Sequence, residues 1–255
     1  MVLSMTRWSG KVAVVTGASA GCGSAIAEHL VKYGLRVAGL ARRVERVEEL
    51  AEKLKTQKGK LVAVKCDMTN EENILEAFKF IREELGTVHI LINNAGLGLD
   101  STLFDGETET WKTMLDTNVL GLCIATREVV REMIAENING HIIHINSIVG
   151  HKVVNFPKSS VYTATKFAVT GLAEALRFEI NELNLKMKIT SVSPGAVATE
   201  FFSVKTGGAM PSNSELNFFP ILKAEDVANA VIYALSTPPH VQVSEITIQA
   251  VGEKV

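Results

Sequence analysis

Short, almost wholly apolar runs alternate along this chain with longer stretches in which apolar residues recur every three or four positions. The first run, Val-Ala-Val-Val-Thr at 12–16, breaks into Gly17-Ala-Ser-Ala-Gly21-Cys-Gly23. A helical pattern follows over about 24–33 and stops at Gly34. The same criteria predict strands at 35–40, 61–66, 88–93, 141–147, 187–192 and 244–250. They predict helices at 44–57, 71–85, 108–136, 160–183 and 224–236. Asn70 stands where an N-cap belongs. The apolar repeat of the 108–136 stretch dips near Asn118-Val-Leu-Gly121, where an interruption of the helix is expected. Strand and helix alternate with no internal repeat and no linker. That order predicts an α/β fold: one Rossmann-type doubly wound parallel sheet of about seven strands, with helices on both faces, over residues 1–255.

Composition adds limits rather than direction. With 255 residues, 47% hydrophobic and 21% charged, the chain can bury a sizeable core. A net charge of −2 gives no electrostatic reason to expect nucleic acid or an anionic membrane surface as a partner. The first ten residues lack the apolar core of a leader, and the longest apolar runs are far too short for a membrane span. Cys22, Cys66 and Cys123 are scattered and odd in number, which argues against a disulfide framework and for a cytoplasmic location. His141 and His144 fall on opposite faces of one strand, so no metal site is expected from them.

The chemistry concentrates at Tyr162-Thr-Ala-Thr-Lys166. Four residues apart on a helix, the two side chains share a face. Lowering a phenol from a pKa near 10 toward 7 takes about 4 kcal/mol of preferential stabilisation of the phenolate. An ammonium about 4 Å away supplies roughly that much at an effective dielectric near 20. Tyr162 is therefore a candidate proton donor and acceptor, and Ser147, from the end of the preceding strand, could hold a substrate oxygen. Gly17, Ser19, Gly21, Cys22 and Gly23 form a strand-to-helix turn suited to a pyrophosphate, which a helix N-terminus attracts. The second strand ends in Arg42-Arg43 where an NAD enzyme would place an acid, and the first acid is Glu45. Two guanidiniums there suit the 2′-phosphate of NADP(H). Asp67-Met68, Asn94-Ala95-Gly96 and Pro194-Gly195-x-Val197-x-Thr199 punctuate further strands at the same C-terminal sheet edge, where open α/β sheets bind ligands.

In their order and spacing, Thr16-Gly17-x-x-x-Gly21-x-Gly23, Asn93-Asn94-Ala95-Gly96, Asn118, Ser147, Tyr162-x-x-x-Lys166 and Pro194-Gly195 resemble the short-chain dehydrogenase/reductase family over nearly the whole chain. The resemblance implies Tyr162 as acid/base, Ser147 as the group orienting the substrate oxygen, and Lys166 on the nicotinamide ribose. Asn118 would hold a water in a proton relay. Asp67 would meet the adenine, Asn94 its ribose, and Val197 with Thr199 the nicotinamide amide. Two departures are visible: Cys22 replaces the usual Ile, and Asn146 the first Ser of a common pair.

Arg7-Trp8, the run Leu40-Ala-Arg-Arg43, Gly150-His151, Ala234-Leu-Ser-Thr-Pro238 and Gln242 are similar to the insect farnesol dehydrogenases and the vertebrate dehydrogenase/reductase member 11 group. That likeness implies an NADP(H) enzyme acting on a small hydrophobic alcohol or carbonyl, an isoprenoid such as farnesol. A hydroxysteroid dehydrogenase or broad carbonyl reductase is the alternative, and a non-catalytic nucleotide sensor the remote one. A homodimer or homotetramer is implied as well. The segment 196–222, flanked by Phe201-Phe202 and Phe218-Phe219, is expected to cover the substrate, although burial of its anchoring aromatics would explain those residues equally well.

Overall fold

The computed structural model describes residues 3–201 and 220–253. Seven parallel strands form a single sheet: β1 (Val12–Thr16), β2 (Arg36–Ala41), β3 (Lys60–Lys65), β4 (Val88–Asn93), β5 (His141–Ile145), β6 (Lys188–Pro194) and β7 (Glu245–Ile248). Their spatial order is β3-β2-β1-β4-β5-β6-β7. The chain runs outward from β1 to β3, then returns to the other side of β1 and builds toward β7. The direction reverses between β1 and β4, and a crevice opens beyond the strand ends at that point.

Among the described residues, seven α-helices cover the sheet: α1 (Gly21–Lys32), α2 (Val44–Leu54), α3 (Glu71–Leu85), α4 (Thr108–Leu115), α5 (Gly121–Ala135), α6 (Ser160–Glu182) and α7 (Ala224–Ser236). One apolar cluster packs α1, α2 and α7 against one sheet face, around Ile26, Leu30, Val47 and Val231. A second packs α3, α5 and α6 against the other, around Phe78, Ile81, Val129 and Leu176. Every residue of β1, β5 and β6 is buried. Enclosure on both faces explains the unbroken apolar run of β1. By contrast, β5 and β6 also bury polar side chains that find partners, Lys188 Nζ donating to Thr237 Oγ1 at 2.8 Å and Thr190 Oγ1 to Val243 O at 2.7 Å.

The local signals act as their chemistry requires. Asn70 accepts the Asn73 amide at 3.0 Å and starts α3. The dip near Asn118 is a π turn, Asp116–Leu120, between α4 and α5. The segment 196–222 is not irregular at its base. Val197 bridges to Leu222, with Ala198 N donating to Leu222 O at 2.8 Å and Leu222 N to Ala196 O at 2.9 Å. The expected aromatic cover at Phe202, Phe218 and Phe219 lies outside the described residues. Among the described residues, no helix is long and apolar enough to cross a membrane.

Candidate active site

A cleft of about 620 Å³ opens along the C-terminal strand edge. Gly17, Ser19, Gly21 and Cys22 line it from the first turn, and Arg42, Arg43, Asp67 and Met68 from the ends of β2 and β3. Asn94, Ala95 and Gly96 line it from the end of β4; Pro194, Gly195, Val197 and Thr199 come from the end of β6. Ser147, Tyr162 and Lys166 complete the wall. Gly23 and Asn118 are not on the lining but directly behind it.

The glycine turn is held open by its neighbours. Gly17 and Gly21 have φ of +68° and +56°, in the left-handed region that glycine tolerates. A Cβ on Gly17 would stand 2.9 Å from Ala95 Cα. A Cβ on Gly23 would stand 2.3 Å from Gly17 O, so Gly23 permits α1 to close on the turn rather than touching a ligand itself. Asn94 fixes the other side: its Nδ2 donates to Thr16 O at 2.9 Å and to Gly17 O at 3.2 Å. Thr16 Oγ1 accepts from the amides of Asn94 and Ala95 at 3.0 and 2.9 Å. The N-terminus of α1 has no side-chain cap. Its first-turn amides, beside glycines that allow close approach, suit a pyrophosphate. The cradle therefore fits a dinucleotide.

Asp67 has a second occupation. Its Oδ1 accepts from Thr69 N at 3.0 Å and Thr69 Oγ1 at 2.9 Å, an Asx turn leading into α3. Arg43 corrects the expectation of an unopposed guanidinium pair. Its Nη2 lies 3.1 Å from Glu200 Oε2, and Arg46 Nη1 lies 2.7 Å from Glu200 Oε1. The acid absent from the local sequence arrives from the far side of the cleft. For Arg42 no ion-pair partner is found among the described residues.

At the Tyr162 end, burial outweighs helix spacing. Lys166 Nζ donates to Ile145 O at 2.9 Å and lies 5.9 Å from the centroid of the Tyr162 ring. Desolvation pushes the Tyr162 phenol above its ordinary pKa, with a hydrogen bond from Ser147 pulling the other way. Desolvation also pulls Lys166 down to about 8. The lowered phenol expected from the four-residue spacing is thus not the state of this structure. Ser147 Oγ additionally accepts the Val149 amide at 3.3 Å.

Asn118 closes the back of this wall. Its Oδ1 accepts Leu97 N at 2.9 Å, while Nδ2 donates to Leu97 O at 2.9 Å and to Thr165 Oγ1 at 3.0 Å. The π turn aims this amide at the loop after β4 and ties that loop to α6. His144 takes part at one remove, within 3.2 Å of Asn93 Nδ2, and burial lowers its pKa to about 4. His141 instead meets Thr190 Oγ1 at 2.8 Å inside the sheet. Cys22, Cys66 and Cys123 are free thiols, and burial raises Cys22 to about 11 and Cys66 to about 12, away from reactive thiolates.

Apart from Phe201, the other lining residues carried no local signal. Val149, Val154 and Phe156, from the segment between β5 and α6, give the Tyr162 end an apolar wall. Glu253, almost 60 residues past β6, accepts the Ala196 amide at 2.9 Å and supports the strand end. Phe201 stands over Tyr162 with ring centroids 5.2 Å apart.

Comparison with known proteins agrees with this geometry. The short chain dehydrogenase family matches residues 11–207. The farnesol dehydrogenase of Aedes aegypti is 46% identical over 254 residues, covering 98% of this chain and all of that protein. Dehydrogenase/reductase SDR family member 11 of Gallus gallus is 47% identical over 252 residues, 96% of this chain and 98% of that protein. Among solved structures, an alcohol dehydrogenase from the archaeon Thermococcus sibiricus, complexed with 5-hydroxy-NADP, superposes with a TM-score of 0.84 at 29% identity. That match covers 96% of this chain and 98% of the other.

Proposed function

The chain belongs to the short-chain dehydrogenase family, and from that premise we propose that it is an NADP(H)-dependent oxidoreductase interconverting an alcohol and a carbonyl on a hydrophobic substrate. An isoprenoid alcohol such as farnesol is the substrate this reading favours. The observation that carries it is the sharing of one cleft by Ser147, Tyr162 and Lys166, a left-handed glycine turn and an apolar wall.

The bound nicotinamide would give or take the hydride. Tyr162 moves the proton at its phenol oxygen, and the Ser147 hydroxyl orients the substrate oxygen beside it. A phenol held protonated by burial is poised as an acid, which suits carbonyl reduction directly. Lys166 binds the nicotinamide ribose and, when charged, favours the phenolate needed for alcohol oxidation. Asn118 holds the loop 94–101 in place and, in this reading, a water of the proton relay. Gly17, Ser19, Gly21, Cys22 and Gly23 form the pyrophosphate turn; Asp67, Met68, Asn94, Ala95 and Gly96 line the adenosine half. Pro194 and Gly195 line the nicotinamide half of the cleft, and Val197 with Thr199 would hold the nicotinamide amide. Arg42 and Arg43 take the 2′-phosphate, where charge and fork geometry match.

The apolar wall of Val149, Val154, Phe156 and Phe201 favours a hydrophobic substrate. Its lack of a directing charge suits an isoprenoid, a hydroxysteroid or a simple carbonyl. Leu120, Phe167 and Phe178, exposed on the π turn and α6, support self-association as a homodimer or homotetramer, which sedimentation would test.

The deciding experiment is turnover of farnesol, geraniol, hydroxysteroids and small aldehydes with NADP(H) and NAD(H). Turnover of an isoprenoid alcohol with a marked NADP(H) preference is expected. Nucleotide binding without turnover of any of them would instead mark a sensor.

A further inference from the structure

The chain leaving β6 crosses the top of the sheet and touches both ends of the cleft within three residues. The side chain of Thr199 lies over the glycine turn, 3.0 Å from where a Cβ on Gly21 would stand. Glu200 reaches the adenosine end. Its Oε1 and Oε2 accept from Arg46 Nη1 at 2.7 and 3.0 Å, and Oε2 also lies 3.1 Å from Arg43 Nη2. Phe201 reaches the catalytic end and covers Tyr162.

A carboxylate and a phosphate monoester present the same target to a guanidinium, two oxygens matched by a planar fork. Glu200 therefore makes the contact to Arg43 that a 2′-phosphate would need. We propose that Glu200 is a specificity-determining residue: its carboxylate competes with the 2′-phosphate of NADP(H) for Arg43, and 2′-phosphate binding frees the 199–201 stretch from the adenosine end. The inference rests on the nucleotide reading above and goes beyond it in naming an internal competitor.

The charges favour competition over blockade. Arg42, Arg43 and Arg46 bring three positive charges against one carboxylate, so two remain to attract a phosphate while Glu200 is docked. Simultaneous occupation would set two anions against one guanidinium, and like charges at that range repel. Both sides of the Glu200 pairs are more than 40% exposed, so displacement is cheap. Release of Glu200 loosens the residue beside Phe201, which links the identity of the nucleotide to the cover over Tyr162.

The test is calorimetric titration of wild type and Glu200→Gln with 2′,5′-ADP and with 5′-AMP, which differ only in the 2′-phosphate. Wild type is expected to prefer 2′,5′-ADP. Glu200→Gln is expected to bind 2′,5′-ADP about three- to fivefold more tightly, the size an exposed ion pair allows, with 5′-AMP unchanged. The gain should shrink as salt rises. Unchanged or weaker 2′,5′-ADP binding in the variant, or an equal gain for 5′-AMP, overturns the competition while the nucleotide reading stands. A wild type and variant that both fail to tell the two ligands apart overturn the 2′-phosphate reading, and the inference with it.

Discussion

Lys166 Nζ, four residues along α6 from Tyr162, gives its 2.9 Å hydrogen bond to the Ile145 carbonyl and lies 5.9 Å from the centre of the Tyr162 ring. The two groups share a helix face, as their spacing requires, yet the ammonium is anchored to the end of β5. Its burial costs it charge, and the burial of the phenol costs the phenolate more than Ser147 returns.

If Tyr162 moves the proton, Tyr162→Phe removes that step and leaves the nucleotide cradle intact. Turnover should fall by about 10²–10⁴-fold, the usual worth of a positioned acid or base. NADPH affinity, followed by fluorescence titration, should change little. A variant that keeps its rate would eliminate Tyr162 from the chemistry.

The raised phenol pKa makes the two directions differ in pH dependence. Reduction uses the protonated phenol, so its rate should stay flat from about pH 6 to 9. Oxidation needs the phenolate, so its rate should climb with pH over the same range. Lys166→Met removes the ammonium one turn from Tyr162 and should move the rising limb to higher pH. Stopped-flow rates in both directions, at saturating nucleotide, are the measurement, and identical profiles would contradict the assignment.

Asn118 pairs with both backbone groups of Leu97, so Asn118→Ala leaves a half-buried N–H and C=O without that partner. The expected loss is about 2 kcal/mol, a fall in Tm of about 4–8 °C for a chain of this size. Hydrogen exchange should quicken in the loop 94–101 before it does elsewhere. Protection unchanged at Leu97 would refute the tie.

His144 is buried neutral, its pKa lowered from 6.5 to about 4 by burial first and the Lys166 charge second. Below pH 6.5 the unfolded chain takes up a proton that the folded one refuses, so stability is intact above 6.5 and is lost as pH falls toward 4. The loss from this residue is on the order of 3 kcal/mol. His141, fully buried beside Lys188, adds in the same direction. Urea midpoints at pH 7.5 and 5.0 should differ less in His144→Gln than in wild type. An equal pH difference in both proteins would remove His144 from the account.

Much of this was legible in sequence because it depends on neighbours in the chain. Strand and helix follow from the period of burial, and β1, α3, β4 and α7 fall at the residues expected, since their runs end at sharp polar or glycine stops. The dip at Asn118 marks a real π turn for the same reason: the apolar repeat loses register where the helix widens. The convergence of glycine turn, serine, tyrosine and lysine on one edge follows from parallel strands all ending on the same side.

What the sequence could not decide was set by residues far apart along the chain. Glu200 meets Arg46 across 154 positions and also pairs with Arg43, so one arginine of the expected pair is opposed. Glu253 supports Ala196 from near the chain end. The state of Tyr162 is the clearest case. Four-residue spacing fixed its direction and its neighbour on the helix, but a pKa depends on every wall around the group. The wall holding Phe201, Ser147 and the Ile145 carbonyl exists only once β5, α6 and the end of β6 have packed together.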